Sequence, residues 1–186
     1  MPICQRCAGV GRDCCRALPT DDQRHRLGLT IDDVIRMSTR LGRHPADFAV
    51  IDRVSPQIIA QIASCIPGSE RMFPHGLRIT FKLDERGVCV LCDPERGCLL
   101  TLEDRPRFCA LYPSWYDATD FNLYPFMLAP PERCLAVEEA GVEPEVLYRC
   151  LRIDPHTLVK IARASDEELR RHAGANAECI RQGVEG

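Results

Sequence analysis

Cysteine is the residue type in this sequence whose number and spacing could do chemistry, with twelve among 186 residues. The first group of cysteines is Cys4-x2-Cys7-x6-Cys14-Cys15. Two thiolates separated by two residues can turn toward one metal while the intervening amides offset their charge, as in zinc knuckles and many iron–sulfur sites. Neighbouring side chains diverge, so Cys14 and Cys15 either serve two adjacent metals, or one of them binds a metal and the other packs.

The second group of cysteines is Cys89-x2-Cys92-x5-Cys98-x10-Cys109, and Cys134 follows further along the chain. Thiolates at these spacings suit a tetrahedral zinc site or an iron–sulfur cluster. Cys92 is either a true Cys-x-x-Cys partner of Cys89 or a residue that fills the core.

The residues around Cys109 have the types that would support a metal site. Pro106 fixes the backbone just before this cysteine and lowers the entropy cost of ordering the loop. We expect Arg105 to donate to a carboxylate or a loop carbonyl, or to offset the charge of a thiolate. We also expect four aromatic side chains to limit solvent access to the metal. They are Trp115, Tyr116, Tyr124 and Phe126.

Together the two groups resemble the YkgJ family of cysteine-cluster proteins, which is described as a zinc- or iron-chelating domain. The family opens with Cys-x-x-Cys, a short spacer and Cys-Cys. It continues with two cysteines, an Arg-Pro-x-x-Cys segment, an aromatic-Pro pair and commonly a later cysteine. The matching residues here are Cys4, Cys7, Cys14, Cys15, Cys89, Cys98, Arg105-Pro106, Cys109, Tyr112-Pro113 and Cys134. The resemblance spans residues 4–140. The chain departs from the family at Cys92, where an apolar residue is usual, and at Leu135-Ala136, where Pro-Gly often follows the last cysteine.

Eight cysteines match this pattern, and eight thiolates suit either two four-ligand sites or one site with spare cysteines. The candidate metal ligands are Cys4, Cys7, Cys14, Cys15, Cys89, Cys98, Cys109 and Cys134. The expected cofactor is zinc or an iron–sulfur cluster. Because the two groups are far apart in sequence, we expect a metal to tie the N-terminal segment onto the Pro-rich loop region. Binding would then contribute folding free energy, about 10 kcal/mol or more for a structural zinc.

Three classes of function are compatible with such a site. A closed, all-cysteine site favours a structural or chelating function over catalysis. An iron–sulfur redox or electron-transfer protein would use the same ligands, since cysteine spacing does not separate zinc from iron–sulfur. The flagellin lysine-N-methylase is similar to the family in its cysteine cluster, which raises S-adenosylmethionine-dependent protein methylation as a third class. No Gly-rich nucleotide-binding turn is present, so we favour a protein without enzymatic activity and name no catalytic or cofactor-binding residue.

The remaining potential ligands have less distinctive surroundings. Cys65, Cys150 and Cys179 lie in helical stretches without close cysteine partners, and we expect them to pack as small hydrophobic residues. The five histidines are scattered, and none is paired with another at ligand spacing. A dithiol oxidoreductase would need the βαβ context of a thioredoxin-like motif, which the sequence lacks.

The composition is that of an ordinary globular protein, with 45% hydrophobic and 27% charged residues. The formal net charge is −3 and the sequence pI is about 6.0, which argues against nucleic acid as the main partner. No signal peptide and no membrane-length apolar stretch is visible, so we expect a cytoplasmic protein with reduced thiols and no membrane partner. The metal ion is the expected partner, and the sequence leaves a protein partner open.

Residues 1–19, which carry the first group of cysteines, are rich in cysteine and glycine and predict a loop or knuckle. Residues 20–75 favour helices. Thr30 and Asp33 predict a capped amphipathic helix that ends near Gly42. A second helix is predicted to start at Pro45 and a third at Pro56.

The second half of the chain changes character. Residues 77–83 alternate between apolar and polar and predict a half-buried strand, followed by a turn at 84–87 and a returning strand at 88–91. Frequent prolines then predict irregular structure. Asp154-Pro155 predicts a helix start, and the run from Ser165 to Glu168 predicts a capping box that opens a last helix.

The predicted fold is therefore α+β and mostly helical, with helices around a small β-hairpin and a Pro-rich, Cys-bearing metal-binding loop region. We expect residues 1–140 to form a cysteine-cluster metal-binding domain. Residues 141–186 are expected to form a C-terminal helical extension packed on it.

Overall fold

A computed structural model describes residues 3–11, 14–15, 28–65, 69–125 and 134–185, without the side chains of Cys4, Cys65 and residues 171–185. Seven α-helices lie in these ranges: α1 (Ile3–Gly9), α2 (Ile31–Leu41), α3 (Pro56–Cys65), α4 (Arg107–Leu111), α5 (Leu135–Ala140), α6 (Pro144–Leu151) and α7 (Pro155–Glu185). The six short strands are β1 (Ala49–Arg53), β2 (Leu77–Phe81), β3 (Cys92–Asp93), β4 (Gly97–Cys98), β5 (Trp115–Tyr116) and β6 (Leu123–Tyr124). The expected mostly helical α+β class is confirmed.

The strands form three separate antiparallel pairs, β1–β2, β3–β4 and β5–β6. The prediction of a helix from Pro45 is wrong, because this proline opens only a 3₁₀ turn that ends at Asp47, and β1 follows. Ile51 of β1 faces Ile79 of β2, and such cross-strand pairs of β-branched residues stabilise a sheet. The segment 88–91, predicted to return beside β2 as a strand, forms an isolated antiparallel bridge between Leu83 and Cys89, and the Val90 amide donates to the Lys82 carbonyl at 3.1 Å.

Helix α2 confirms the start and end signals in the sequence. The Thr30 hydroxyl accepts from the Asp33 amide at 3.0 Å, and the Asp33 carboxylate accepts from the Thr30 amide at 3.0 Å. This reciprocal pair satisfies two backbone donors that the first helical turn leaves without partners. Gly42 ends the helix at φ 61°, a left-handed conformation that glycine adopts without steric cost.

The N-terminal segment differs from the predicted loop, because Ile3–Gly9 is helix α1 and places Cys4 and Cys7 one turn apart. Ile3 and Cys7 are both buried, and this face packs against α5 and α6. Helix α1 also packs against β4. Tertiary burial of its apolar face explains why a short glycine-containing segment becomes helical.

Helix α7 runs without interruption from Pro155, so the predicted helix start at Ser165 is wrong. Ser165, Asp166 and Glu168 are buried on the face that packs against α2 and α4. A Ser-x-x-Glu sequence resembles a capping box, but here the Glu168 carboxylate accepts from Arg107 and from the Thr30 hydroxyl, which lie outside α7.

Among the described residues, the core consists of three apolar clusters. The largest joins α3, α4, β5 and α7 around Phe108, Trp115 and Leu158. The second joins α1, α5 and α6 and includes Cys7 and Cys134. The third joins α2, the β1–β2 pair and the β3–β4 hairpin, and its cysteines are Cys15, Cys89, Cys92 and Cys98.

Candidate metal centre

The thiol of Cys15 lies at the centre of a group of five thiols. It makes hydrogen bonds with four others, those of Cys14, Cys89, Cys92 and Cys98. These bonds, in that order, and then burial raise the pKa of Cys15 well above its usual value. The N-terminal cysteines and the second cysteine group, remote in sequence, therefore meet at this residue.

Backbone hydrogen bonds fix the position of this group. The Cys89 amide donates to the Cys15 carbonyl at 2.7 Å, and the Cys92 amide donates to the Cys89 carbonyl at 2.9 Å. Cys92 faces Cys98 directly across the β3–β4 hairpin. The Asp93 carboxylate accepts from two amides of the hairpin turn at 2.8 Å and holds the turn closed. Backbone hydrogen bonds therefore hold Cys15 and the hairpin cysteines in fixed relative positions.

The Cys98 thiol has a lowered pKa. Hydrogen bonding to Cys15 lowers the pKa of Cys98 to about 6, against the opposing effect of burial, and the charge of Arg105 contributes further. Arg105 also donates to the Leu100 carbonyl at 3.3 Å, and its own carbonyl accepts from Arg36 at 3.3 Å. The expectation that Arg105 would meet a loop carbonyl and offset a thiolate is confirmed.

A second contact joins Cys7 of α1 to Cys134 at the start of α5. Both residues are 6% exposed and belong to the same apolar cluster. Hydrogen bonding to Cys7 lowers the pKa of Cys134, and the backbone amides of Val137 and Ala136 act in the same direction. The charge of Cys14 opposes this shift, which places Cys14 within electrostatic range of the pair.

Cys14 and Cys109 are the remaining predicted ligands whose side chains are described. Cys14 is exposed and hydrogen-bonded to Cys15. Cys109 is carried on α4, where burial raises the pKa of its thiol well above the usual value. The charges of Cys14, Cys98 and Cys89 raise it further, in that order. Cys14 is thus near both Cys109 and Cys134.

Of the eight predicted ligands, the structure brings seven into one neighbourhood: Cys7, Cys14, Cys15, Cys89, Cys98, Cys109 and Cys134. The side chain of the eighth, Cys4, lies outside the described residues. Cys92, which the sequence left open, belongs to the same neighbourhood through its contact with Cys15. No disulfide joins any of the nine cysteines whose side chains are described. Within the described ranges, no three His, Cys, Asp or Glu side chains already have the arrangement of a preformed metal site.

Two of the aromatic residues expected to cover the metal, Trp115 and Tyr116, lie instead in the apolar core. The rings of Phe108, Trp115, Tyr116 and Phe121 stack one on the next at centroid distances of 5.1 to 5.9 Å. They lie in the α4–α7 core cluster, whose described members include no cysteine. Tyr124 is 46% exposed, and Phe126 falls outside the described residues. Burial of these large rings against α7 contributes to the stability of the core.

The remaining cysteines are Cys150, which packs against the α1–α5–α6 cluster, and Cys65 and Cys179. The thiol of Cys150 lies 3.8 Å from a Glu139 carboxylate oxygen at the edge of the α1–α5–α6 cluster. Burial and the charge of Glu139 raise the pKa of Cys150. The side chains of Cys65 and Cys179 fall outside the described residues, so their predicted packing is untested.

Sequence reasoning missed a buried ionic network beside Cys109. Arg107 donates to the Glu168 carboxylate at 3.0 Å, and its backbone amide donates to Asp33 at 3.1 Å. Arg36 pairs with Asp33 and lies 3.6 Å from Glu168. Asp33 is fully buried and Glu168 is 4% exposed. The only signal in the sequence was the pair of apparent capping boxes, whose acidic residues do more here than cap helices.

No protein-family model matches the chain, and no curated protein or solved structure is significantly similar to it. The resemblance to the YkgJ family therefore rests on the cysteine and Arg-Pro motifs. None of the helices in the described part of the chain combines the length and apolar character needed to cross a bilayer.

Proposed function

We propose that this protein binds a thiophilic metal centre, zinc or an iron–sulfur cluster, through its converging cysteines. One observation carries the proposal: Cys15 contacts three cysteines of a remote segment, Cys89, Cys92 and Cys98. Cysteines that merely fill a core have no reason to gather from separate segments onto each other. Four thiols from two segments are the donor set of closed zinc sites and of iron–sulfur clusters.

The surroundings of these thiols fit a bound metal chemically. Four thiolates and one divalent cation leave two negative charges, which need compensation in a partly buried site. Arg105 supplies a positive charge beside Cys98, and a backbone amide at Leu100 donates to the same sulfur. Such outer contacts orient ligands and tune metal sites. Hydrogen-bonded thiols are already close together, so a metal that replaces their protons requires only small side-chain movements.

A bound zinc would supply structural stabilisation, and an iron–sulfur cluster would supply one-electron redox chemistry. The residues of this chain have the same structural role with either metal centre. Cys15 anchors the N-terminal segment to the β3–β4 hairpin, and the 2.7 Å bond from the Cys89 amide to the Cys15 carbonyl fixes their spacing. The metal would thereby close a long loop, the arrangement in which cross-links constrain the unfolded chain most.

The test is anaerobic purification without chelators, followed by elemental analysis and a visible spectrum of the wild type and two variants. Cys98→Ser removes the acidic thiol of the group, whereas Cys150→Ser changes a cysteine of the same chain whose described hydrogen bond is to the Glu139 carboxylate. We expect bound zinc, or iron with acid-labile sulfide and a broad visible absorbance. Metal content should fall in Cys98→Ser and stay unchanged in Cys150→Ser.

Wild-type protein that contains no metal, and that takes up none when the reduced chain is titrated with zinc, would refute the proposal. Equal metal content in both variants would also refute it. Circular dichroism of Cys98→Ser separates loss of a ligand from failure to fold. For a variant that does not fold, cobalt titration of the wild type gives an independent readout through thiolate-to-cobalt charge-transfer absorbance.

A further inference from the structure

We infer that the cysteines form two adjacent metal centres that meet at the Cys14–Cys15 peptide. The first centre consists of Cys15, Cys89, Cys92 and Cys98. The second consists of Cys7, Cys14, Cys109 and Cys134. This inference rests on the proposed function and adds the number of centres, the ligands of each and the inclusion of Cys92.

The packing of the chain divides the cysteines into two sets. Cys15, Cys89, Cys92 and Cys98 belong to the apolar cluster formed around α2 and the β1–β2 pair. Cys7 and Cys134 belong to the different cluster formed by α1, α5 and α6. Helix α1 packs against β4, so these two clusters are neighbours. A single four-ligand centre would draw its ligands from one of these sets and leave the other without a function.

Contacts among the sulfur atoms follow the same division. The Cys15 thiol is hydrogen-bonded to all three cysteines of the 89–98 segment, whereas the described hydrogen-bond partner of Cys134 is Cys7. The charge of Cys14 acts on both Cys109 and Cys134, and among the thiols that act on Cys109 it has the largest effect, ahead of Cys98 and Cys89 of the first set. Cys109 therefore completes the second set through Cys14.

The chemistry of consecutive cysteines explains why the centres meet at this peptide. Adjacent side chains leave the backbone in different directions, so two neighbouring thiolates rarely fit the corners of one tetrahedron. If Cys14 binds one metal and Cys15 the other, each thiolate can point toward the cysteines of its own centre. The contact between the Cys14 and Cys15 thiols then makes the two centres immediate neighbours.

Cys92 is the residue that distinguishes this arrangement from the eight-ligand pattern expected from the sequence. It faces Cys98 across the hairpin and contacts Cys15, so it completes a set of four without any residue from the other cluster. In this arrangement Cys92→Ser disrupts the first centre and leaves the second intact.

The experiment titrates metal-free, reduced full-length protein with zinc alone under anaerobic conditions, using Cys92→Ser, Cys134→Ser and Cys150→Ser as variants. We expect two zinc ions per chain in the wild type and in Cys150→Ser. Each of the two other single variants should lose half of the bound zinc, and the double variant Cys92→Ser/Cys134→Ser should lose all tight binding.

Cadmium-113 NMR of the wild type reports the same count without any variant. Two resonances in the range of all-thiolate coordination are expected, and Cys92→Ser and Cys134→Ser should each remove a different one. A single zinc per chain with a single cadmium resonance would overturn the inference but leave metal binding intact. Two ions in Cys92→Ser would also overturn it. No binding in the wild type would instead refute the proposed function itself.

Discussion

Replacing Glu168 with glutamine tests whether the buried ionic network holds α4, the helix that carries Cys109, against α2 and α7. The Glu168 carboxylate accepts from Arg107 at 3.0 Å and from the Thr30 hydroxyl at 3.3 Å, and it lies 3.6 Å from Arg36. Its side chain is 5% exposed, and those of the two arginines are 24% exposed. Glutamine keeps the size of the side chain and one acceptor oxygen but removes the charge.

The expected cost follows from the burial of this carboxylate. Removing one partner of a buried ion pair costs about 3–5 kcal/mol, because the remaining charge stays desolvated without compensation. Asp33 still pairs with Arg36 in this variant, and the amide oxygen of glutamine can still accept from Arg107. We therefore expect the lower end, about 3 kcal/mol. For a chain of this size each kcal/mol shifts Tm by roughly 2–4 °C, so Tm should fall by about 6–12 °C.

The assay is thermal unfolding followed by circular dichroism, with wild type and variants prepared at the same metal content. Glu167→Gln is the matched control, since it makes the same change at the neighbouring residue of α7, which is exposed. A surface substitution of this kind should change stability by less than about 0.5 kcal/mol. Zinc stoichiometry should be unchanged in both variants, because neither removes a cysteine.

A Tm for Glu168→Gln within 2 °C of the Glu167→Gln value, a margin of about 1 kcal/mol or less, would refute the reasoning. It would show that the network adds nothing beyond the packing of its aliphatic parts. An increase in Tm would refute it as well, because desolvation of Glu168 would then outweigh its interactions.

Two further predictions concern the thiol site and the start of α2. In metal-free, reduced protein the alkylation rate of Cys98 should titrate with a midpoint at about pH 6. Arg105→Gln should move this midpoint upward, because it removes a charge that stabilises the thiolate, whereas Arg96→Gln should leave the midpoint unchanged. A wild-type midpoint near the usual thiol value of 9.0 would contradict the prediction. Thr30→Val should lower the free energy of unfolding by about 1–2 kcal/mol, because it removes the helix cap and the hydrogen bond to Glu168. The same change at exposed Thr39 should have little effect. Equal melting temperatures for the two variants would count against the cap.

The sequence determined the local elements whose signals are complete within a few residues. Helix α2 has both its cap at Thr30 and its stop at Gly42 in the sequence, and the structure has both. The alternation over 77–83 predicted β2, and Asp154-Pro155 predicted the start of α7. These predictions succeeded because a cap, a proline or a period of two acts on its own backbone.

The cysteine spacing predicts which residues could bind a metal, because ligand type and loop length are properties of the chain itself, and metal binding stays a prediction. Seven of the eight candidates lie together in the structure. The spacing did not determine how they are grouped. Cys92 joined Cys15 only because the β3–β4 hairpin places it opposite Cys98.

Tertiary structure decided the elements whose local signals were ambiguous or misleading. Residues 49–53 became a strand because β2 offered an unpaired edge, and residues 3–9 became a helix because α5 and α6 bury one of its faces. Glu168 lies inside α7 because Thr30, Arg36 and Arg107, all outside this helix, meet its carboxylate there. In each case the deciding free energy comes from contacts between residues far apart in sequence, which no local pattern contains.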